Sequence, residues 1–322
     1  MSAIEIAGLG AMNIDHLYQV DEIVADGEQQ VLNHLSLSGG SAANTIYGLA
    51  KLGVKAGFVG NVGVDEKAQV LIDDFRDVGV DTSQIKAKQE MRTGSVLCLS
   101  DKLGGRALYV FPGANDLLTS EDISYKYLNR AKMVHLSSFV NDIQFNIQVD
   151  LMKTLKPSVN VNLAPGMLYA SKGMRVLAPL LERTHIVFMN REEIERLTGR
   201  DFKAGAQECL TRGCQVVVVT LGGGLPVDGD RTITGYICDT NREYEIESEK
   251  ECLEPQLEST GAGDAFAAGF LFGFLRCKGL EECGLLGDIV ARFAIKGIGA
   301  REGLPSLSQM SQRFHERTGQ QL

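Results

Sequence analysis

Short apolar runs rich in β-branched residues recur along the chain, and segments with helical periodicity lie between most of them. The strand-like runs are Ile4–Ala7, Ala56–Val59, Met133–Leu136, Val159–Leu163, His185–Met189 and Val216–Thr220. The helical segments are Ala42–Leu52, Glu66–Val78, Asp142–Leu155 and Phe202–Thr211. Residues Val216–Val219 are consecutive valines, and an unbroken apolar run is typical of a strand covered on both faces. This alternation predicts a three-layer α/β fold with a mostly parallel central sheet.

Two stretches interrupt the alternation of strands and helices. Leu17–Ser38 and Gly94–Phe111 alternate like strands without a helix between them, and the second stretch contains Gly104-Gly105 and resembles a hairpin. We therefore expect segments at about residues 14–38 and 92–115 to leave the main sheet and form a small β-strand lid. The sequence contains no repeat, low-complexity tract or linker, which favours a single domain over residues 1–322.

Composition excludes several classes of protein. Among 322 residues, 32 Lys and Arg stand against 41 Asp and Glu, with no basic block, so nucleic acid is a poor partner. The seven cysteines form no C-x-x-C pair, which argues against zinc and disulfides and favours a reduced, cytoplasmic protein. The longest apolar stretch, Ala265–Leu275, is too short to span a bilayer, and the first ten residues lack signal-peptide features. We expect no membrane partner.

The strongest candidate site begins the apolar segment near the C-terminus. Gly261, Ala262 and Gly263 precede Asp264 at the start of a predicted helix. Glycines let the backbone approach a ligand, and the N–H groups at a helix N-terminus favour an anion such as phosphate. A carboxylate in the first turn is well placed to take a proton from an attacking hydroxyl. The alternative is an acidic residue that only complements the helix dipole, beside glycines that only form a turn.

A second group of candidate residues lies in the N-terminal part of the chain. Gly39 and Gly40 open a helix in which Asn44 can face a polar ligand, although Ser41 alone would serve as a helix N-cap. Asn13 and Asp15 project from one face of an extended stretch and can both bind a polyol. The preceding Gly8-Leu9-Gly10 is no dinucleotide fingerprint, because Asn13 replaces the third glycine and a strand-like segment follows.

A third group of candidates follows two strands in the second half of the chain. Asn190 and Glu193 share a helix face, and by themselves they indicate a capping box. Thr220 and Gly222 lie in a glycine-rich turn that indicates either a ligand-binding loop or a flexible one. The sequence has no Walker A motif, so any phosphoryl transfer must use another phosphate-binding device.

The order of these motifs resembles that of the ribokinase-like (PfkB-type) carbohydrate kinase family from about Ile4 to Pro305. The matching motifs are Asn13/Asp15, Gly39-Gly40 with Asn44, Gly60–Asp65, Pro112–Asn115, Asn190 with Glu193, Thr220 with Gly222, and Gly261–Asp264. The resemblance implies a ribokinase-like fold and an ATP- and Mg²⁺-dependent kinase that phosphorylates a hydroxyl of a small sugar.

The resemblance also implies residue roles. Asp264 would be the base, and the backbone amides of Gly261, Ala262 and Gly263 would form the anion hole. Asn190 and Glu193 would lie near the triphosphate, with Glu193 holding Mg²⁺ through water. Thr220 and Gly222 would belong to the nucleotide site. The acceptor-site residues would be Asn13, Asp15, Gly39, Gly40 and Asn44. Exposed lid edges predict a homodimer formed through the lid strands.

Three points stay open at this stage. Glu258-Ser259 replaces the family's usual Asp-Thr, which leaves activation by a monovalent cation such as K⁺ undecided. A nucleoside kinase is the first alternative, and it would need an apolar slot for the base, with Tyr109, Phe111 and Phe139 as candidates. A non-catalytic sugar-binding protein is the second alternative, and the intact Asp264 argues against it.

Overall fold

The computed structural model describes residues 4–102, 105–227, 231–249 and 261–322. The strands in these ranges are β1 (Ile6–Leu9), β2 (Asn13–Val20), β3 (Asn33–Gly39), β4 (Ala56–Val62), β5 (Asp81–Ala87), β6 (Gly94–Asp101), β7 (Arg106–Phe111), β8 (Met133–Ser137), β9 (Asn160–Ala164), β10 (Thr184–Asn190), β11 (Val216–Pro226), β12 (Arg231–Asp239) and β13 (Glu243–Glu249). The α-helices are α1 (Ser41–Lys51), α2 (Glu66–Asp77), α3 (Tyr125–Leu128), α4 (Asp142–Thr154), α5 (Gly166–Ala170), α6 (Met174–Leu181), α7 (Arg191–Thr198), α8 (Phe202–Thr211), α9 (Ala262–Leu275), α10 (Leu280–Ala294) and α11 (Leu307–Thr318).

Nine strands form the main sheet in the order β13-β12-β11-β10-β9-β8-β1-β4-β5. Neighbouring strands from β11 to β5 pair in parallel, whereas β12 and β13 add an antiparallel edge. The predicted mostly parallel sheet is confirmed. The first strand lies two residues later than predicted, and β5, β12 and β13 were not among the predicted strands.

Helices cover both faces of this sheet, which confirms the three-layer arrangement. One core contains residues of α1, α2, α9, α10 and α11, and the other contains residues of α3 to α8. The four valines of β11 divide between the cores, with Val216 and Val218 in the first and Val217 and Val219 in the second. The unbroken apolar run therefore reflects burial on both sides of one strand.

Helix α9 is the central helix of the first core, and its burial explains its apolar sequence. A Cβ atom at Gly269 would lie 2.4 Å from the Leu286 carbonyl oxygen of α10, and one at Gly48 of α1 would lie 3.0 Å from Ala268. These small residues let three helices approach closely, and they fix where the first turn of α9 lies. Within the described residues, every helix is too short or too polar to cross a bilayer.

A second sheet of four strands, in the order β3-β2-β6-β7, stands apart from the main sheet. Strands β6 and β7 form the predicted antiparallel hairpin, with Cys98 opposite Leu108. Strand β2 pairs with β3 in antiparallel and with β6 in parallel orientation. Because β1 is followed by β2 rather than by a helix, the structure agrees with the rejection of a dinucleotide fingerprint at Gly8–Asn13.

Candidate active site

The first turn of α9 depends on Gly261, which is the N-cap residue with a φ of 82°. A side chain there would be strained by the left-handed backbone, and its Cβ atom would lie 2.4 Å from the Cβ of Ala300. The helix then closes with the Ala265 N–H donating to the Gly261 carbonyl oxygen at 2.8 Å. The glycine is therefore needed for the local backbone geometry.

Space for a ligand lies in front of this turn. The first N–H groups of a helix have no intrahelical acceptor and carry its partial positive charge. A Cβ atom built on Gly263 would meet no atom of the described residues within 4 Å, and the residue is exposed. Among the residues that the structure describes, the backbone at Gly263 is thus open to an anion, and the anion hole at residues 261–263 stays a prediction.

The Asp264 carboxylate lies between this turn and α1. It accepts hydrogen bonds from Ser41 Oγ at 2.7 Å and from Asn44 Nδ2 at 3.0 Å. Burial raises the pKa of Asp264 to about 6, while these two hydrogen bonds and the nearby Arg301 partly offset the increase. A carboxylate with such a pKa is ionised near neutral pH and is a stronger base than an ordinary aspartate.

The interpretation of Ser41 as a helix N-cap is wrong. Gly40 is the N-cap of α1, with a φ of 104°, and a Cβ atom there would lie 2.2 Å from the Ala11 carbonyl oxygen, while Ser41 is the first helical residue. This places the Ser41 hydroxyl toward Asp264 rather than toward the backbone of its own helix.

A cavity of about 260 Å³ lies between Asp264 and the second sheet. The residues that line it include Asn13, Asp15, Gly40, Ser41, Asn44, Asn115 and Asp264. Asp15 is 8% exposed, and its carboxylate lies so close to Gly39 that a Cβ atom there would be 2.2 Å from Oδ2. The structure therefore brings the predicted acceptor residues together around the candidate base, although their role in binding stays a prediction.

Asn115 fixes the orientation of Asn13 at the junction of the two sheets. The Asn115 amide donates to Asn13 Oδ1 at 2.9 Å and to the Pro112 carbonyl oxygen at 2.8 Å, and it accepts from the Met12 N–H at 2.9 Å. Because the Asn13 oxygen is used in this way, its NH₂ group is left as the donor beside the cavity.

The remaining wall of the cavity is largely apolar. It comprises Ala11, Val96, Cys98, Leu108, Val110, Pro112, Phe139, Val140 and Leu168, together with Arg106 and Ser138. Of the three residues predicted for an apolar slot, only Phe139 lines this cavity. Tyr109 and Phe111 lie on the opposite face of the hairpin, because alternate residues of a strand face opposite sides.

The predicted nucleotide-site residues lie at the carboxyl edge of the main sheet. Asn190 at the end of β10 pairs with Thr220 of β11. Gly222 has a φ of 58°, and it lies where β11 leaves its register with β12, between Thr220 and Leu225. Asn190 and Thr220 are therefore neighbours at the carboxyl ends of two adjacent parallel strands, and Gly222 follows two residues later.

Asn190 and Glu193 form the capping box that their spacing indicates. Asn190 Oδ1 accepts from the Glu193 N–H at 2.8 Å, and Glu193 Oε2 accepts from the Asn190 N–H at 2.9 Å. Burial raises the pKa of Glu193, and the negative charge of Asp264 raises it further. The two carboxylates therefore interact electrostatically, which makes the space beside them favourable for a cation.

Two further residues bear on the candidate site. Glu258 lies outside the described residues, so activation by K⁺ stays a prediction. Arg301, which belongs to none of the predicted motifs, donates from Nε to Asn44 Oδ1 at 3.0 Å. In the sequence, Arg301 is marked only by its position as a single arginine within the glycine-rich segment 297–303.

Comparison with known proteins identifies the class of enzyme to which this chain belongs, a kinase of the ribokinase-like class. Residues 3–307 match the sequence profile of the pfkB family of carbohydrate kinases. An uncharacterized sugar kinase from Archaeoglobus fulgidus is 35% identical over 260 residues, which cover 80% of this chain and 98% of that protein. The chain therefore belongs to the pfkB carbohydrate kinase family, and it is a phosphotransferase that acts on an alcohol group.

Other similar proteins include kinases that act on different acceptors. A nucleoside kinase from Methanocaldococcus jannaschii is 25% identical, with 97% of each chain covered. The crystal structure of a ribokinase from Thermotoga maritima superposes with a TM-score of 0.81 at 23% identity, covering 97% of this chain and 99% of that one. This structural similarity shows the shared fold.

Proposed function

We propose that this protein transfers the γ-phosphoryl group of ATP to a hydroxyl of a small sugar bound in the cavity beneath the second sheet. The observation that carries this proposal is the position of Asp264, a carboxylate with a raised pKa between a polar cavity and an open helix N-terminus. An acceptor hydroxyl on one side and a phosphoryl group on the other would then both reach the same turn of α9.

In this mechanism the protein mainly positions the reactants and stabilises charge. Asn13, Asp15 and Asn44 would bind hydroxyls of the acceptor, and Gly39 and Gly40 would let it approach the backbone. Asp264 would accept the proton of the attacking hydroxyl. Backbone amides at the start of α9 would donate hydrogen bonds to the oxygens of the transferred phosphoryl group. The partial positive charge of the helix N-terminus would stabilise the negative charge on those oxygens.

The residues beside Asp264 fit a hydrated Mg²⁺ ion. One oxygen of Glu193 is used by the capping box, and the other has no hydrogen bond to the part of the chain described above. A carboxylate oxygen of this kind can hold a metal-bound water, since Mg²⁺ keeps several waters and prefers oxygen ligands. When bound, Mg²⁺ would neutralise charge on the triphosphate, while Asn190, Thr220 and Gly222 would contact the nucleotide.

A nucleoside is the second candidate acceptor, and the apolar wall of the cavity favours it. Val96, Leu108 and Val110 of the second sheet line the cavity together with Phe139 and Leu168. These apolar side chains offer no hydrogen bonds to the hydroxyls of a bare sugar, whereas they can pack against a planar base.

An acceptor panel tests the proposed function. Purified protein with ATP and Mg²⁺ is expected to form ADP only when a suitable pentose, hexose or nucleoside is present, and the product should be a phosphate monoester. ADP release and ³¹P NMR measure the two sides of the reaction. A protein that leaves the whole panel unphosphorylated, or that releases ADP equally without acceptor, contradicts the proposal.

We also propose that the second sheet is a lid and that its outer face joins two protomers. Leu97, Tyr109 and Phe111 are exposed there by 38%, 61% and 50% of their surfaces, and β3 and β7 are free edges within the described residues. Sedimentation velocity at tens of micromolar should show a dimer that Tyr109→Glu dissociates. The matched control Val70→Glu, on exposed α2 surface, should leave it intact. A monomeric wild-type protein contradicts this proposal.

Four further predictions accompany this proposal, on domain organisation, location, partners and K⁺. The chain would act as one domain over residues 1–322, in the cytoplasm, without nucleic-acid or membrane partners. K⁺ would be an additional activator only if Glu258 can replace the family's aspartate. Turnover in potassium and sodium salts of equal ionic strength tests this last point directly.

A further inference from the structure

Arg301 is a buried cation that reaches the candidate base through one intervening side chain. It lies in the segment between α10 and α11, next to Ala300, which packs against Gly261. Only 6% of the residue is exposed. A charged side chain is seldom buried to this extent unless several groups satisfy it.

The guanidinium group is held on several sides. Its carbon atom lies 5.0 Å from the ring centre of Tyr47 and 5.3 Å from that of Phe75. Nη1 lies 3.5 Å from a carboxylate oxygen of Asp74, and Nη2 donates to the Gly39 carbonyl oxygen at 3.5 Å. The planar group is therefore fixed in orientation, and this leaves Nε aimed at Asn44.

This contact determines which way the Asn44 amide points. An arginine can only donate, so it must meet Asn44 Oδ1, and the NH₂ group is then directed at Asp264 Oδ2. A carboxylate can only accept, so the pair is satisfied in this orientation alone. The opposite orientation would place an oxygen against Asp264 and an NH₂ group against Arg301.

We infer that Arg301 is a positioning residue for phosphoryl transfer: through the Asn44 amide it fixes the carboxylate of Asp264 for proton abstraction, and its charge favours the ionised form of that carboxylate. This inference rests on the proposed function of Asp264. Arg301 is not among the residues that line the cavity. Its effect on Asp264 therefore passes through its hydrogen bond to Asn44 and through its positive charge.

The electrostatic part follows from the charges that surround the two groups. Asp74, Tyr47, Asp15 and Asp264 all face Arg301, and burial lowers the pKa of Arg301 to about 10. The arginine therefore stays charged at neutral pH. The positive charge of Arg301 lowers the pKa of Asp264. Glu193 is the acidic neighbour of Asp264, and the negative charge of Asp264 raises the pKa of Glu193.

Arg301→Met is the main test, because methionine keeps much of the apolar length and removes the charge and the donors. We expect the pKa of Asp264 to rise by about one pH unit. In protein labelled with ¹³C at aspartate carboxyls, the Asp264 signal is identified by its loss in Asp264→Asn and titrated. With the best acceptor of the panel, kcat should fall about tenfold or more, while KM for ATP stays near the wild-type value.

Two variants separate positioning from general stability. Arg301→Lys keeps the charge but cannot bond both Asn44 and Gly39 in the same plane, so the Asp264 pKa should stay near wild type while kcat recovers only in part. Arg276→Met removes an arginine that also stacks on an aromatic ring and pairs with Glu5, at the other end of α9, and it should change neither quantity.

Failure of the inference about Arg301 can be distinguished from failure of the proposed kinase function. If the wild-type protein phosphorylates no acceptor, the proposed function fails, and the carboxyl titration still tests the influence of Arg301 on Asp264. If a folded Arg301→Met protein keeps the wild-type Asp264 pKa and kcat, the inference is overturned. Arg301→Gln replaces the methionine variant if that one does not fold, with the same two measurements and the same two outcomes.

Discussion

Asp264→Asn is expected to lower kcat by about 10² to 10⁴, because the introduced amide cannot accept the proton of the acceptor hydroxyl. The substitution keeps the local contacts. The new amide oxygen can accept from Asn44 Nδ2, and the new NH₂ group can donate to Ser41 Oγ after that hydroxyl rotates. Both substrates should still bind, since the backbone amides at the start of α9 are unchanged. Steady-state kinetics gives kcat, and calorimetric titration gives the binding of ATP.

Asp142→Asn is the matched control, because Asp142 is also an acidic residue in the first turn of a helix, α4. If Asp264 only complemented the helix dipole, both variants would lose at most about 1 kcal/mol of stability and neither would lose turnover. Thermal unfolding and kcat measured on the same preparations distinguish the two accounts. Near wild-type turnover of Asp264→Asn would contradict the proposed mechanism.

Asp15→Asn is expected to raise KM for the acceptor about 10- to 100-fold, with little change in KM for ATP. A hydrogen bond to a charged group is worth about 1.5–3 kcal/mol, and about 1.4 kcal/mol corresponds to a factor of ten. Because asparagine has almost the same shape, the close packing against Gly39 is kept. The size of the effect therefore reports on hydrogen bonding to the acceptor rather than on misfolding.

Asp21→Asn is the control for this second variant. Asp21 lies just beyond β2 on the surface, where it pairs with Lys102 at 2.6 Å, and its loss should leave both KM values unchanged. Equal losses of affinity for acceptor and ATP in Asp15→Asn would remove Asp15 from the acceptor site.

Much of the fold could be predicted from local patterns. The valine run of β11 and the helices α1, α2, α4 and α8 carry strong periodicity and lie close to their predicted bounds. Strand β13 was missed because it is an edge strand rich in charged residues, such as Glu243, Glu245 and Glu247, and lacks the apolar signal of the central strands. Strand β12 does carry β-branched and aromatic residues, but Gly235 interrupts them.

The site was predictable only where a single motif contains both the backbone conformation and the reactive side chain. Gly261–Asp264 does so, and the glycine with positive φ, the helix start and the carboxylate are all local features. The contacts of Asp264 with Ser41 and of Asn44 with Arg301 join residues 223 and 257 positions apart, which no spacing rule connects. Ser41 was misassigned as an N-cap for this reason. Its ability to cap a helix is visible in the neighbouring sequence, whereas its partner Asp264 is distant in the sequence.

The pH dependence of turnover tests the central claim most directly, namely that Asp264 takes the proton from the acceptor. Because a base must be ionised and the pKa of Asp264 is about 6, kcat/KM for the acceptor should level off above that pH. Below it, kcat/KM should fall tenfold per pH unit, and this acid limb should be absent from the residual activity of Asp264→Asn. A flat profile in the wild-type enzyme between about pH 5 and 8, or an acid limb that persists unchanged in the variant, would contradict the account.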